Sequence, residues 1–188
     1  FSPLIIVPNK KSLRKLEEFS DRAFFASSSA GWMTKNLFIY YCLLLICQIS
    51  HYRLTLPEDL QNERFLLIVD GHKSRESYLA ALVLYTFNID LLLLPSHSSH
   101  ILQPFDICVA SPLKSFFKEE LVTDNFDMLV AGNDPAKQTQ RQLRSSLIRA
   151  FLNALRKSCT YHNIEQGFKL SGIFPLNLDV PLCSDYVL

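Results

Sequence analysis

Two short apolar runs separated by a segment of helical length constrain this chain more than any other feature. Residues 64–70, "RFLLIVD", and residues 89–95, "IDLLLLP", are strand-like runs in which polar residues do not alternate with apolar ones. Such strands are typical of parallel sheets with both faces covered. Residues 74–88 between them have the length of a helix, with Ser74 as the predicted N-cap. This spacing predicts a right-handed βαβ unit whose two strands are parallel neighbours.

The first part of the chain predicts two further strands and one buried helix. Residues 2–8 and residues 22–29 are short apolar runs bounded by prolines or turn-forming residues, as strands are. Residues 31–51 are too long and too continuous for a strand and predict a helix. Its uninterrupted apolar run covers residues 37–47, whereas a bilayer span needs about 20 residues. We therefore expect a core helix and no membrane association.

The second half of the chain has a helical pattern. Pro104 stands where one helix begins, and Asp134 with Pro135 predict the N-cap and first turn of the next. A last short helix is predicted around residues 161–169. Together with the strands upstream, these helices predict an α/β fold. The second of them is expected to pack through a face built in four-residue steps by Leu143, Leu147, Phe151 and Leu155.

Charge and cysteine content exclude several classes of protein. The formal net charge of +1 indicates no particular partner, and 48% hydrophobic residues argue against a disordered chain. The five cysteines form no CxxC pair, which favours reduced thiols over a disulfide framework or a zinc site. The N-terminal residues lack the basic start and long apolar stretch of a signal peptide. These features predict a globular intracellular domain.

Two aspartates mark the predicted carboxyl ends of the parallel strands. Asp70 ends the first strand, and Asp106 follows the second where the next helix begins, 36 positions later. Because ligands of open α/β sheets bind at this edge, we expect the two carboxylates to converge. They would repel each other unless a cation lay between them, and Mg²⁺ or Mn²⁺ prefer such oxygen ligands. Each aspartate alone is also explained as a turn residue or a helix cap.

Three histidines lie close to these aspartates in the sequence. His72 follows Asp70 by two positions, and His97 and His100 precede Asp106 in the loop "PSHSSH". They lack a cysteine pair or a second histidine pair that would complete a zinc site. They are candidate contacts with substrate or nucleic acid, and hydrogen bonding within their own loops explains them equally well.

A basic segment at residues 136–164 contains no Asp or Glu. Its local charge of +6 can contact a nucleic-acid backbone, or it can form the solvated face of an amphipathic helix. The basic residues in it are Lys137, Arg141, Arg144, Arg149, Arg156 and Lys157. The candidate nucleic-acid contacts of this half of the chain are Arg141, Arg144 and Arg149, together with Lys114 upstream.

Four sequence blocks resemble those of a known family. They are "GWMTKNLF", "LLIVDGHKS", "LLLLPSHSSHILQPFDICVASPLK" and "GFKLSGIFPLN", which occur in the family's order over residues 31–177. The family is the DDE superfamily endonuclease domain of pogo- and Tigger-like transposases and of the jerky and centromere protein B relatives. The long third block is the most specific of the four.

The resemblance implies a fold, a site and a partner. The fold is RNase H-like with a mixed sheet, incomplete at the N-terminus, with residues 1–125 as a partial endonuclease core and residues 126–188 as its C-terminal helical extension. Three carboxylates of this family hold two divalent ions, Mg²⁺ or Mn²⁺, for phosphodiester cleavage and strand transfer. Asp70 matches the second carboxylate and Asp106 the third. The implied partner is DNA, in a nuclear homodimer without a small-molecule cofactor.

Two departures from the family pattern bear on activity. The family's first acidic residue lies on a strand upstream of residues 2–8, and no part of this chain supplies it. The chain starts at Phe1 rather than Met, so we expect a truncated form. Arg75 stands where many relatives have a second histidine. Two functions therefore stay open, a metal-dependent DNA endonuclease or transposase and a domesticated or decayed DNA-binding nuclear protein without catalysis.

Overall fold

The structure is a computed structural model that describes residues 1–8, 13 and 16–183. It consists of two compact units, Phe1–His97 and Ser98–Leu188. Part of the polar connection after the first predicted strand, residues 9–12 and 14–15, lies outside the described residues.

The first unit contains the predicted strands and the two predicted helices. The bounds are β1 Leu4–Val7, β2 Phe24–Ser27, α1 Lys35–Arg53, β3 Phe65–Val69, α2 Tyr78–Thr86 and β4 Ile89–Leu93, with short 3₁₀ turns at Glu17–Phe19 and Glu58–Leu60. β1 pairs with β2 and β3 pairs with β4, both in parallel. The α/β class and the parallel pairing across the βαβ unit are thus confirmed. The expectation that both faces of these two strands are covered is wrong for the described residues, because Leu66 of β3 and Leu92 and Leu93 of β4 are exposed. No antiparallel pair of the expected mixed sheet occurs among the described strands.

Helix α1 supplies most of the core of the first unit. It begins after Thr34, whose side-chain oxygen accepts a hydrogen bond from the backbone N–H of Leu37 at 3.2 Å. Its inner face recurs every three or four residues, which is helical spacing, and packs against Ala80, Leu84 and Ile89. The buried members of that face are Phe38, Cys42, Leu45, Ile46 and Ile49. The prediction of a core helix is confirmed, and none of the described helices is long and apolar enough to cross a membrane.

Cys42 is a buried thiol in this core. Its side chain is fully buried, and burial raises the pKa of the Cys42 thiol to about 12. The thiol therefore stays protonated at neutral pH and packs as a small apolar group.

The predicted N-cap of α2 is wrong by three residues. The helix begins after Ser77, whose hydroxyl oxygen accepts a hydrogen bond from the N–H of Ala80 at 3.3 Å. Ser74 lies upstream in a turn closed by the N–H of Arg75, which donates to the carbonyl of His72 at 2.8 Å. The side chain of Ser74 is engaged inside that turn, so it cannot cap the helix.

The second unit is helical. It contains α3 Ser99–Leu102, a π-helical turn Phe105–Val109 that continues into α4 Ala110–Val130, a 3₁₀ turn Pro135–Lys137, α5 Gln140–Ser158, α6 Tyr161–Leu170 and α7 Asp179–Leu182. Pro112 has no N–H to donate to the carbonyl of Cys108, and the chain forms the wider π turn just before this proline. The helices predicted after Pro104 and around residues 161–169 are confirmed. The predicted boundary at residue 125 falls inside α4 and stays a prediction.

The start of α5 and its packing face differ from the prediction. Asp134 caps only the 3₁₀ turn, accepting from the N–H of Ala136 at 2.9 Å. Helix α5 itself begins after Thr139, which forms a reciprocal capping box with Gln142. Only part of the predicted face packs, because four-residue steps drift by about 40° each around a helix. Phe151 and Leu155 are partly buried. Leu143 and Leu147 are exposed, and the buried residues of α5 are Ile148, Ala150, Leu152, Ala154 and Ser158.

Helices α4 and α5 are joined by ring packing and by one polar cluster. The rings of Phe117 and Phe151 meet edge to face with centroids 6.4 Å apart. Glu120 of α4 accepts hydrogen bonds from Lys157 and Asn153 of α5. The hydrogen bond from Lys157, followed by that from Asn153, holds the pKa of the Glu120 carboxyl below its usual value. The basic segment is therefore anchored to α4 through one of its own lysines.

Candidate active site

Asp70 is the first residue after β3, at the carboxyl end of the parallel pair. The register pairs Val69 with Leu93, and the N–H of Leu94 donates to the carbonyl of Val69 at 2.9 Å. The segments that follow β3 and β4 therefore leave the sheet side by side. This is the edge at which open α/β sheets bind ligands.

Gly71 lets these two segments touch. A Cβ atom at this position would lie 2.5 Å from the carbonyl oxygen of Leu94 and 3.5 Å from the nitrogen of Ser96. Only glycine fits such a close approach of two backbones. The glycine after Asp70 thus fixes where the aspartate sits relative to the end of β4, and its sequence signal was the "DG" pair at the end of an apolar strand.

The Asp70 carboxylate is sheltered and incompletely satisfied. Its Oδ1 lies 2.9 Å from Nε of Arg75, and the two side chains are 38% and 25% exposed, respectively. Oδ1 is itself buried and accepts no hydrogen bond from any residue that the structure describes, since the Arg75 contact lacks hydrogen-bond geometry. A buried acceptor without a donor is costly. This oxygen is therefore suited to a further ligand, and a divalent cation fits its chemistry.

A short chain of polar contacts runs away from Asp70. Arg75 Nη1 donates to Oγ of Ser74 at 2.7 Å, and Ser74 Oγ lies 2.9 Å from Nδ1 of His72. The backbone N–H of Ser74 also donates to this Nδ1 at 3.2 Å. Ser74 is buried and His72 is exposed. Sequence reasoning treated Arg75 only as a departure from a pattern and missed that it contacts Asp70.

Asp106 lies in the first turn of the π-helical segment of the second unit and is exposed. Its N–H donates to the carbonyl of Gln103 at 3.0 Å. The preceding Pro104 is held against α6, because a Cβ atom at Gly167 would lie 2.5 Å from the Pro104 carbonyl oxygen. Asp70 and Asp106 belong to different units, and their convergence stays a prediction.

The remaining candidates lie on exposed segments. His97 adopts a left-handed backbone conformation with φ 62° after β4, and His100 lies on α3. Lys114 of α4 and Arg141 and Arg149 of α5 are exposed, whereas Arg144 is partly buried. Within the described part of the chain, no group of three or more His, Cys, Asp or Glu side chains could hold a metal ion.

Comparison with known proteins identifies the relatives of this chain. A model of the DDE superfamily endonuclease family matches residues 2–168. A curated protein of Cochliobolus lunatus, described as MFS-type transporter clz9, is 30% identical over 157 residues. The matched stretch is 84% of this chain and 15% of that protein, so the chain spans a small part of its curated relative. No solved structure matches the chain significantly.

Proposed function

The chain belongs to the DDE superfamily endonucleases, and from this premise we propose that it is part of an RNase H-like, transposase-derived domain that cleaves DNA with two divalent ions. The observation that carries the proposal is the Asp70 carboxylate at the carboxyl end of β3, whose buried Oδ1 is ion-paired with Arg75 but accepts no hydrogen bond from the described residues. A nuclear location, where a DNA substrate lies, and a homodimer are proposed with it.

Asp70 and Asp106 would hold Mg²⁺ or Mn²⁺ as the second and third carboxylates of the family's site. When bound, such ions neutralise charge on the reacting phosphodiester and activate the attacking oxygen. The part of the protein is to hold the ligands in place. Asp70 is held by the pairing of β3 with β4 and by the close approach at Gly71. His72 and His97, which follow β3 and β4, are proposed contacts for the DNA backbone near this edge, and His100 is proposed as a further DNA contact.

The metal proposal predicts that Mn²⁺ binding depends on Asp70. In calorimetric titration, Asp70→Asn loses binding, because an amide oxygen is a weaker ligand than a carboxylate. Asp106→Asn weakens binding as well. Asp90→Asn is the matched control: Asp90 lies on the adjacent strand, where the Arg64 hydrogen bond already occupies it and lowers the pKa of its carboxyl. Equal binding by the chain and by Asp70→Asn would contradict the proposal.

A second candidate function, DNA binding without catalysis, is favoured by the position of Arg75. The guanidinium of Arg75 lies against Asp70 at the place where a cation would bind. A DNA-binding protein without catalysis would have no need to keep that carboxylate available. Nicking of plasmid DNA that requires Mn²⁺ and is lost in Asp70→Asn would reject this alternative.

The DNA proposal predicts a salt signature for α5. Replacing Arg141, Arg144 and Arg149 with glutamine makes the fall of log affinity with log salt less steep. The slope changes by about 0.9 for each phosphate of duplex DNA that α5 no longer neutralises. Fluorescence anisotropy at several salt concentrations measures the slope. The control replaces the exposed Lys35, Lys118 and Lys169 with glutamine, which removes the same amount of charge outside α5. Equal slopes for the two triple variants would remove α5 from the DNA surface.

A further inference from the structure

We propose that Arg75 is a built-in counter-ion of Asp70 that competes with the divalent ion, so that metal binding requires the guanidinium to leave the carboxylate. This inference rests on the proposed metal site at Asp70. It adds a residue that sets the affinity of the site without being a ligand of the metal.

Two of the three guanidinium nitrogens of Arg75 make polar contacts. Nε lies 2.9 Å from Asp70 Oδ1, and Nη1 donates to Ser74 Oγ at 2.7 Å. Ser74 is buried, and its hydroxyl is fixed in turn by Nδ1 of His72 at 2.9 Å. The backbone is also fixed, since the carbonyl of Arg75 accepts from the N–H of Ser77 at 2.8 Å. Arg75 is thus a positioned cation rather than a freely moving surface side chain.

The contact with Asp70 is nevertheless incomplete. Oδ1 is buried but receives no hydrogen bond among the described residues, so Arg75 provides charge without using the lone pairs of that oxygen. Arg64, which immediately precedes β3, and Asp90 of β4 show the alternative, with two hydrogen bonds of 2.7 and 2.6 Å. A bidentate pair of that kind is the stronger arrangement. The single contact at Asp70 is the one that a metal ion can displace.

Competition follows from charge and space. Arginine side chains carry a positive charge in proteins, and a divalent ion must approach a carboxylate oxygen to about 2.0–2.2 Å. Arg75 covers that oxygen and repels the incoming ion. A guanidinium about 4–5 Å from a dication costs on the order of tenfold in affinity when solvent and salt screen the repulsion.

The test is a Mn²⁺ titration of the 188-residue chain at about 0.1 M salt. The concentration of free Mn²⁺ is measured from its electron paramagnetic resonance signal. Arg75→Gln removes the charge and keeps a hydrogen-bonding amide, and we expect it to bind Mn²⁺ about tenfold more tightly. Arg75→Lys keeps the charge and is expected to bind within about twofold of the unaltered chain. The matched control is Arg64→Gln, which makes the same charge change at the pair with Asp90 and should leave Mn²⁺ affinity unchanged.

The outcomes separate this inference from the metal site itself. Tighter binding by Arg75→Gln alone, abolished when Asp70→Asn is added, supports the inference. Equally tighter Mn²⁺ binding by Arg75→Gln and Arg64→Gln would mean that only the net charge matters, and this result overturns the inference. Unchanged Mn²⁺ affinity of Arg75→Gln, in a chain that binds Mn²⁺ through Asp70, overturns it as well. Absence of Asp70-dependent binding in every variant overturns the proposed metal site and the inference with it. Thermal unfolding of each variant verifies that it is folded.

Discussion

Replacing Phe38 with alanine lowers the free energy of unfolding of the first unit by about 3–5 kcal/mol. The Phe38 ring is 2% exposed and lies in the cluster that α1 forms with Ala80, Leu84 and Ile89. Truncation removes the transfer free energy of the ring and leaves a cavity that helices and strands on several sides cannot all close. The loss is a large part of the roughly 5–15 kcal/mol that typically separates folded from unfolded domains.

Urea unfolding followed by circular dichroism measures this loss as a shift of the midpoint. The matched control is Leu43→Ala, on the same helix but 46% exposed. Because little apolar surface is buried there, we expect a loss below about 1 kcal/mol. Equal losses in the two variants would show that α1 does not bury the face assigned to it.

Replacing Gly71 with alanine damages both the fold and the candidate site. The new methyl group would lie 2.5 Å from the backbone carbonyl oxygen of Leu94, which is not a flexible side-chain end that could turn away. The segment after β3 or the segment after β4 must shift, at a cost of about 1–3 kcal/mol. Because Asp70 is the neighbouring residue, we also expect Mn²⁺ affinity to fall by about tenfold or more.

Gly132→Ala is the control for this substitution. Gly132 follows α4 with φ +76°, and apart from its own chain neighbours no described residue places an atom within 4 Å of the position that an alanine methyl group would take. Alanine there costs only the left-handed conformation, about 1–2 kcal/mol, and Mn²⁺ affinity should not change. Urea midpoints of both variants measure the loss of stability, and Mn²⁺ titrations of both variants measure the loss of metal affinity. Unchanged metal binding by Gly71→Ala would mean that Asp70 does not depend on the close approach of the two segments.

Element types were predictable from the sequence where apolar residues dominate. The strands β3 and β4, the core helix α1 and the parallel pairing all follow from runs of apolar residues at strand or helix length. Helix starts were less predictable where two capping residues stood close together. Ser77 took the place of Ser74, and Thr139 took that of Asp134, because the earlier residue of each pair is engaged in a turn of its own.

The sequence by itself determined that Asp70 ends a parallel strand, since apolar runs and chain spacing suffice for that placement. Only the tertiary structure decided what surrounds the carboxylate. Arg75 contacts Asp70, Ser74 holds Arg75, and Gly71 meets Leu94 because of the angle at which two segments leave the sheet. Periodicity contains no information on that angle, because it depends on backbone dihedrals and packing outside the strands themselves.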